Sequence, residues 1–202
     1  MNQIPRDNDE EEHSLEMHLP YIYKRMEETF GPDSTRYPTI VPLLVGDGQK
    51  AEEKETGKLL APYLADTDTA FVVSSDFCHW GRRFSYTKYS PDGSASSLQN
   101  LSSQPRAGGK PIHETIKVVD QLAMDAIETG SHDAFVDNLK HTKNTVCGRH
   151  PIAVIMAAME ELAKSGTEEG KLKFKFVRYE RSNLVQGISD SSVSYAAAYA
   201  II

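Results

Sequence analysis

The sequence predicts a single α/β domain with a mixed central sheet flanked by helices, and three observations carry that reading. A β-branched and leucine-rich run, Thr39 to Val45, is followed by a helical stretch, Ala51 to Leu64, and a second apolar run, Ala70 to Ser75. Longer stretches with helical spacing of apolar residues come next. Two segments with two-residue alternation, around Leu172 to Phe176 and Val193 to Ile201, close the chain. The 202 residues are enough for one domain with a substantial core.

Taken in order, His13 to Phe30 carries Leu15, Leu19, Ile22, Tyr23 and Met26 near one helical face. Pro20 costs about 3 kcal/mol inside a helix, so either a bend or a fresh start is expected there. The run from Thr39 ends in Gly46-Asp47-Gly48, as a strand covered on both faces would. In the helix that follows, Leu59, Leu60 and Tyr63 are expected to face inward. The order strand, helix, strand implies a right-handed crossover between parallel strands. Residues 90–110 are dominated by Ser, Gly, Pro, Asn and Gln, and are expected to be a disordered low-complexity insertion. Ile112 to Ile127 reads as a helix ending at Gly130, and Ser131 caps a shorter one through Leu139. Pro151 to Lys164 has the strongest helical pattern. Lysines at 171, 173 and 175 alternate with Leu172, Phe174 and Phe176, which describes a strand with one wet face near a sheet edge. Val193 to Ile201 is expected to pack on both faces.

Composition excludes several function classes. A net charge of -7 argues against a nucleic-acid surface, which requires concentrated Lys and Arg. No apolar run approaches the roughly 20 residues of a membrane helix. The acidic start, residues 7–12, does not read as a secretory signal, so a cytoplasmic location, with the nucleus as a second possibility, is the expectation. Two cysteines, Cys78 and Cys147, are expected to be free thiols rather than a disulfide framework.

Three polar constellations stand out. In Asp76-Phe77-Cys78-His79-Trp80-Gly81, His79 follows an apolar run, where side chains of open α/β sheets meet ligands. Either it is an acid/base group oriented by Asp76, or it is a histidine hydrogen-bonded at a strand end. Cys78, on the opposite face, is assigned to the core. In Thr145-Val146-Cys147-Gly148-Arg149-His150-Pro151, the thiol precedes the strongest helix, whose N-terminal dipole and basic neighbours favour thiolate. Cys147 is thus a nucleophile or soft metal ligand, or else a small buried cysteine beside a glycine turn. In Glu12-His13-Ser14-Leu15-Glu16-Met17-His18, the two histidines are five apart, about 140° around a helix, so they do not form a zinc pair. His13 and Glu16 share a face and are candidates for lining a pocket. His113, His132 and His141 are expected at the surface.

Four segments, 11–21, 72–81, 147–152 and 190–197, resemble the Memo family in the same order. The resemblance implies a fold like that of class III extradiol dioxygenases, copper or iron binding, redox chemistry, and a link to receptor-driven cell motility and signalling. It further implies that Cys147 is one of three metal ligands, the other two being histidines in motifs this sequence does not contain. His79, with Asp76, takes the acid/base role. The chain then corresponds to the C-terminal two thirds of the family domain, truncated before the first strands of the sheet. On that reading the chain alone holds no copper or iron and is inactive, while the full protein is a metal-dependent oxidoreductase. The expected pocket is formed by His79, Asp76 and Cys147 and lined by His13, Glu16, Arg149 and His150. The alternatives are a non-catalytic adaptor for phosphorylated receptor peptides, with Arg149 or Arg82 contacting the anion, and an inert fragment.

Overall fold

A computed structural model describes residues 5–105, 108–166 and 171–202. The chain divides into two compact units, Met1–Val45 and Gly46–Ile202.

In the first unit, α1 spans Arg6–Glu11, α2 His13–Glu16 and α3 Leu19–Phe30. The Glu12 carboxylate caps α2 by accepting from the Ser14 and Leu15 N–H groups at 2.9 and 2.8 Å. Pro20 lies in the first turn of α3, where its missing N–H costs nothing, so the fresh start is what forms. Thr39 to Val45 is not a strand, and Ile40, Val41, Leu43 and Leu44 are exposed. A β-branched run becomes a strand only against a ladder partner, and none exists among the described residues.

The second unit begins with α4, Lys50–Leu64. Its buried stripe is Glu53, Gly57, Leu60, Ala61 and Leu64, which rests on the later helix α7, Arg149–Ala163. A Cβ at Gly57 would lie 2.7 Å from that of Ala157, so glycine permits the close crossing. The expectation for Leu59 and Tyr63 is overturned: they are 65% and 61% exposed. The contact runs through the stripe centred on Gly57, Leu60 and Leu64, and Leu59 and Tyr63, four residues apart, share a face turned away from it.

Ala70 to Ser75 approaches the sheet without joining it. The sheet has the order β1-β5-β4, with β1 at His79–Trp80, β4 at Phe174–Arg181 and β5 at Ser192–Ala200. All its pairings are antiparallel, His79 opposite Val193 and Phe174 opposite Ala200 among them. The α/β class therefore holds, while the predicted parallel crossover is absent among the described residues. β4 lies at the edge, as its lysines predict. β5 does not pack on both faces: Tyr195 and Tyr199 are about half exposed, whereas Ser192 and Ser194 are buried.

Residues 90–110 are corrected from disordered to folded over their described part, residues 106–107 lying outside it. Strands β2, Lys88–Tyr89, and β3, Gln99–Asn100, pair antiparallel across this segment. Ser90 is fully buried and its hydroxyl donates to the Ser94 carbonyl at 2.7 Å. Asp92 accepts from the Ser97 hydroxyl and from the Ser94 N–H, bonds that hold its carboxyl well below the usual range. Internal hydrogen bonds, with Leu98 and Leu101 packed beneath, do here what apolar content could not.

Helices α5, Ile112–Glu128, α6, His132–Thr142, and α7 follow the predicted spacing. Ser131 caps α6 by accepting from the Ala134 N–H at 3.2 Å. Phe77 packs with Phe135 and Met156 in one core cluster, while Cys78 packs with Trp80 and Ile116 in another. Alternation along residues 77–80 thus ties one short segment into both cores.

Candidate functional site

The site is built from two turns, 74–79 before β1 and 144–148 before α7. The Phe77 N–H donates to the Ser194 carbonyl at 2.8 Å, and the Ser194 N–H to the Cys78 carbonyl at 3.0 Å, which hooks the first turn onto β5. The second turn lies against it through consecutive contacts. Thr145 Oγ1 accepts from the His79 N–H at 2.8 Å and donates to the His79 carbonyl at 3.1 Å. The Cys147 N–H donates to the Asp76 carbonyl at 3.1 Å, and the Gly148 N–H to Ser75 Oγ at 2.9 Å. A Cβ at Gly148 would lie 2.3 Å from the Ser74 carbonyl oxygen, so only glycine admits this approach.

Beneath the two turns sits Asp120 of α5, fully buried. Its Oδ1 accepts from the Cys78 N–H at 3.0 Å and from the Asn144 side-chain amide at 2.9 Å. Its Oδ2 accepts from the Tyr179 hydroxyl at 2.8 Å. Burial pushes the carboxyl above its usual range even though these donors favour the anion. Burial likewise drives the Cys78 thiol well up, so that sulfur is inert core, in line with its sequence assignment.

The His79 ring packs edge-on against Phe84, centroids 5.1 Å apart. Its Nε2 is 3.5 Å from Asp76 Oδ2, too long for a strong directed hydrogen bond. That nitrogen is shielded from water and has no hydrogen-bond partner among the described residues. Cys147 is exposed and is not in a disulfide.

Two of the predicted lining residues, Arg149 and His150, have partners of their own within the second unit. His150 places Nδ1 2.6 Å from Glu53 Oε1 and Nε2 2.7 Å from Asp47 Oδ1. The Arg149 guanidinium donates to the same Asp47 oxygen at 3.3 Å. Both side chains are therefore engaged with α4 and the residues before it. His13 and Glu16 are exposed on α2 in the first unit. His132 is corrected from surface to fully buried, its Nε2 2.9 Å from Glu53 Oε2.

Sequence reasoning missed Asp120, Asn144, Thr145 and Glu53. Asp120 had a signal, a carboxylate on the apolar stripe of Ile116, Val119 and Ala123. Glu53 had the same kind of signal on the Gly57, Leu60, Leu64 stripe. Thr145 had none, because a hydroxyl that grips a distant backbone leaves no pattern in sequence.

The sequence profile of the Memo-like protein family matches residues 1–199, and the chain belongs to that family. It is 43% identical over 194 residues to Protein MEMO1 of Danio rerio, covering 96% of this chain and 57% of that protein. To Protein MEMO1 of Homo sapiens it is 43% identical over 189 residues, covering 94% and 56%. To the Protein memo-1 homolog of Caenorhabditis elegans it is 41% identical over 194 residues, covering 96% and 49%. The chain spans about half the length of the curated relatives it matches.

Proposed function

We propose that this chain supplies the thiol and the acid/base pair of a redox centre, with Cys147 as thiolate, His79 as proton carrier and Asp76 as the group that orients it. The observation that carries this reading is the set of hydrogen bonds holding residues 145–148 on residues 75–79. Imidazole titrates near neutrality, so His79 can take a proton from a bound group and return it. Phe84 limits rotation of the ring and shields it from water. Asp76 Oδ2 lies 3.5 Å from Nε2, so its carboxylate faces the ring from that side. Cys147, one residue before the cap of α7, is placed where the helix N-terminus favours thiolate.

A thiolate suits copper or iron, the metals expected from the resemblance. Among the described residues no group of three or more His, Cys, Asp or Glu side chains is arranged to hold a metal ion. The described residues are thus an incomplete ligand set, and Cys147 would share such a metal with imidazoles from elsewhere in the family domain. The adaptor alternative, recognition of a phosphorylated receptor peptide, draws no support from the arginines proposed for it. Arg149 faces Asp47, and Arg82 donates to the Ser102 carbonyl.

The test is the pH profile of Cys147 alkylation by iodoacetamide, with buried Cys78 as the unreactive internal control. His79→Gln is expected to displace that profile, and an unmoved profile rejects a shared site. In a chelator competition for copper(I) on a chain extended to the length of the family's full domain, Cys147→Ser is expected to abolish uptake, and unchanged uptake removes the thiol from the metal role.

A further inference from the structure

Thr145 opens the second of the two motifs that point to chemistry without carrying chemistry itself, and at 2.8 Å it makes the shortest link to the first. Its hydroxyl bonds both polar groups of the His79 backbone, one as acceptor and one as donor. A single rotatable oxygen that does both fixes the His79 peptide in position and in tilt. The residue before it, Asn144, is 5% exposed and donates to Asp120, which in turn accepts from Cys78. The residue two positions after it is Cys147, bonded through its own N–H to the Asp76 carbonyl. One five-residue turn therefore grips the other directly at Ser75, Asp76 and His79, and reaches Cys78 through Asp120.

We propose that Thr145, backed by the Asn144–Asp120 pair, is a positioning residue that sets how the His79 imidazole stands toward the Cys147 thiol. This rests on the shared-site reading above, and it adds a residue that touches neither the thiol nor the ring. Without the hydroxyl, the His79 N–H and carbonyl lose their common partner and the ring is carried by β1 alone. Valine keeps the shape of threonine and removes the hydroxyl, while serine keeps the hydroxyl and removes the methyl.

The experiment measures how far His79→Gln changes the alkylation rate of Cys147 in four backgrounds of the 202-residue chain: parent, Thr145→Val, Thr145→Ala and Thr145→Ser. In a double-mutant cycle the parent and Thr145→Ser are expected to show an effect of about threefold or more, and the Val and Ala backgrounds almost none. Circular dichroism melts identify the backgrounds that fold; the Ala and Ser pair decides the matter if Val does not. A His79 effect that persists undiminished without the hydroxyl overturns the positioning role and leaves the shared site standing. So does its loss in the Ser background, which would make the methyl group the determinant. No His79 effect in the parent overturns both readings together.

Discussion

Two carboxylates are buried among the described residues of the second unit, and they are satisfied by different kinds of partner. Asp120 accepts from a backbone N–H, an amide and a phenol, none of which changes charge near neutral pH. Glu53 lies between His132 and His150, whose ring nitrogens meet its two oxygens at 2.9 and 2.6 Å. Its surroundings carry further charge: Lys50 and Lys54 meet Asp133 at 3.0 and 2.6 Å, and Asp133 meets His132 at 3.1 Å. Neutral donors suit a group that holds a site at fixed geometry, because their strength does not vary with the proton supply. Charged partners suit a joint between helices α4, α6 and α7, where attraction matters more than angle.

The comparison can be broken most directly at Asp120. Asp120→Ala strands three buried donors and is expected to lower unfolding free energy in urea by about 3 kcal/mol or more. It should also abolish the effect of His79 on Cys147 alkylation. A loss below about 1 kcal/mol would show that the donors find other partners. Next comes Glu53→Gln, whose amide can accept at one oxygen but turns an N–H toward the second ring. A loss of about 2 kcal/mol is expected by the same measurement. The Cys147 profile should hardly move, and a marked shift there would erase the distinction between site and joint.

A pH series sharpens the contrast. Burial raises the Asp120 carboxyl above its usual value, so protonation favours the folded state. That contribution is fully present below about pH 4 and is lost as pH rises through the raised value. The stability of the parent relative to Asp120→Asn, which cannot titrate, is expected to fall over that interval. A flat difference would mean that the hydrogen bonds cancel the effect of burial, and a rising one that they outweigh it. The smallest effect is expected at Leu59→Ser, within about 0.5 kcal/mol, since that side chain lies outside the α4 contact stripe. A cost comparable with Glu53→Gln would place Leu59 in a buried contact.

Parts of this were legible in the residues. Ser131 announces α6, Pro20 the start of α3, and the alternating lysines the edge position of β4. Asp76, His79 and Cys147 were picked out by residue type and place. Arg149 and His150 were read as pocket-lining from their adjacency to Cys147, which says nothing about direction, and on α7 those side chains turn toward Asp47 and Glu53. The strand runs at 39–45 and 70–75 were misread because composition reports β preference, whereas a strand also requires a partner.

The sequence by itself determined the helices and their caps, the α/β class and the family, since periodicity, capping chemistry and motif order are local properties of the chain. Tertiary structure alone decided that Thr145 would grip His79 and that Asp120 would sit beneath both turns. Hydrogen bonds between residues 66 and 42 positions apart depend on how separate elements meet, and no local pattern encodes that meeting.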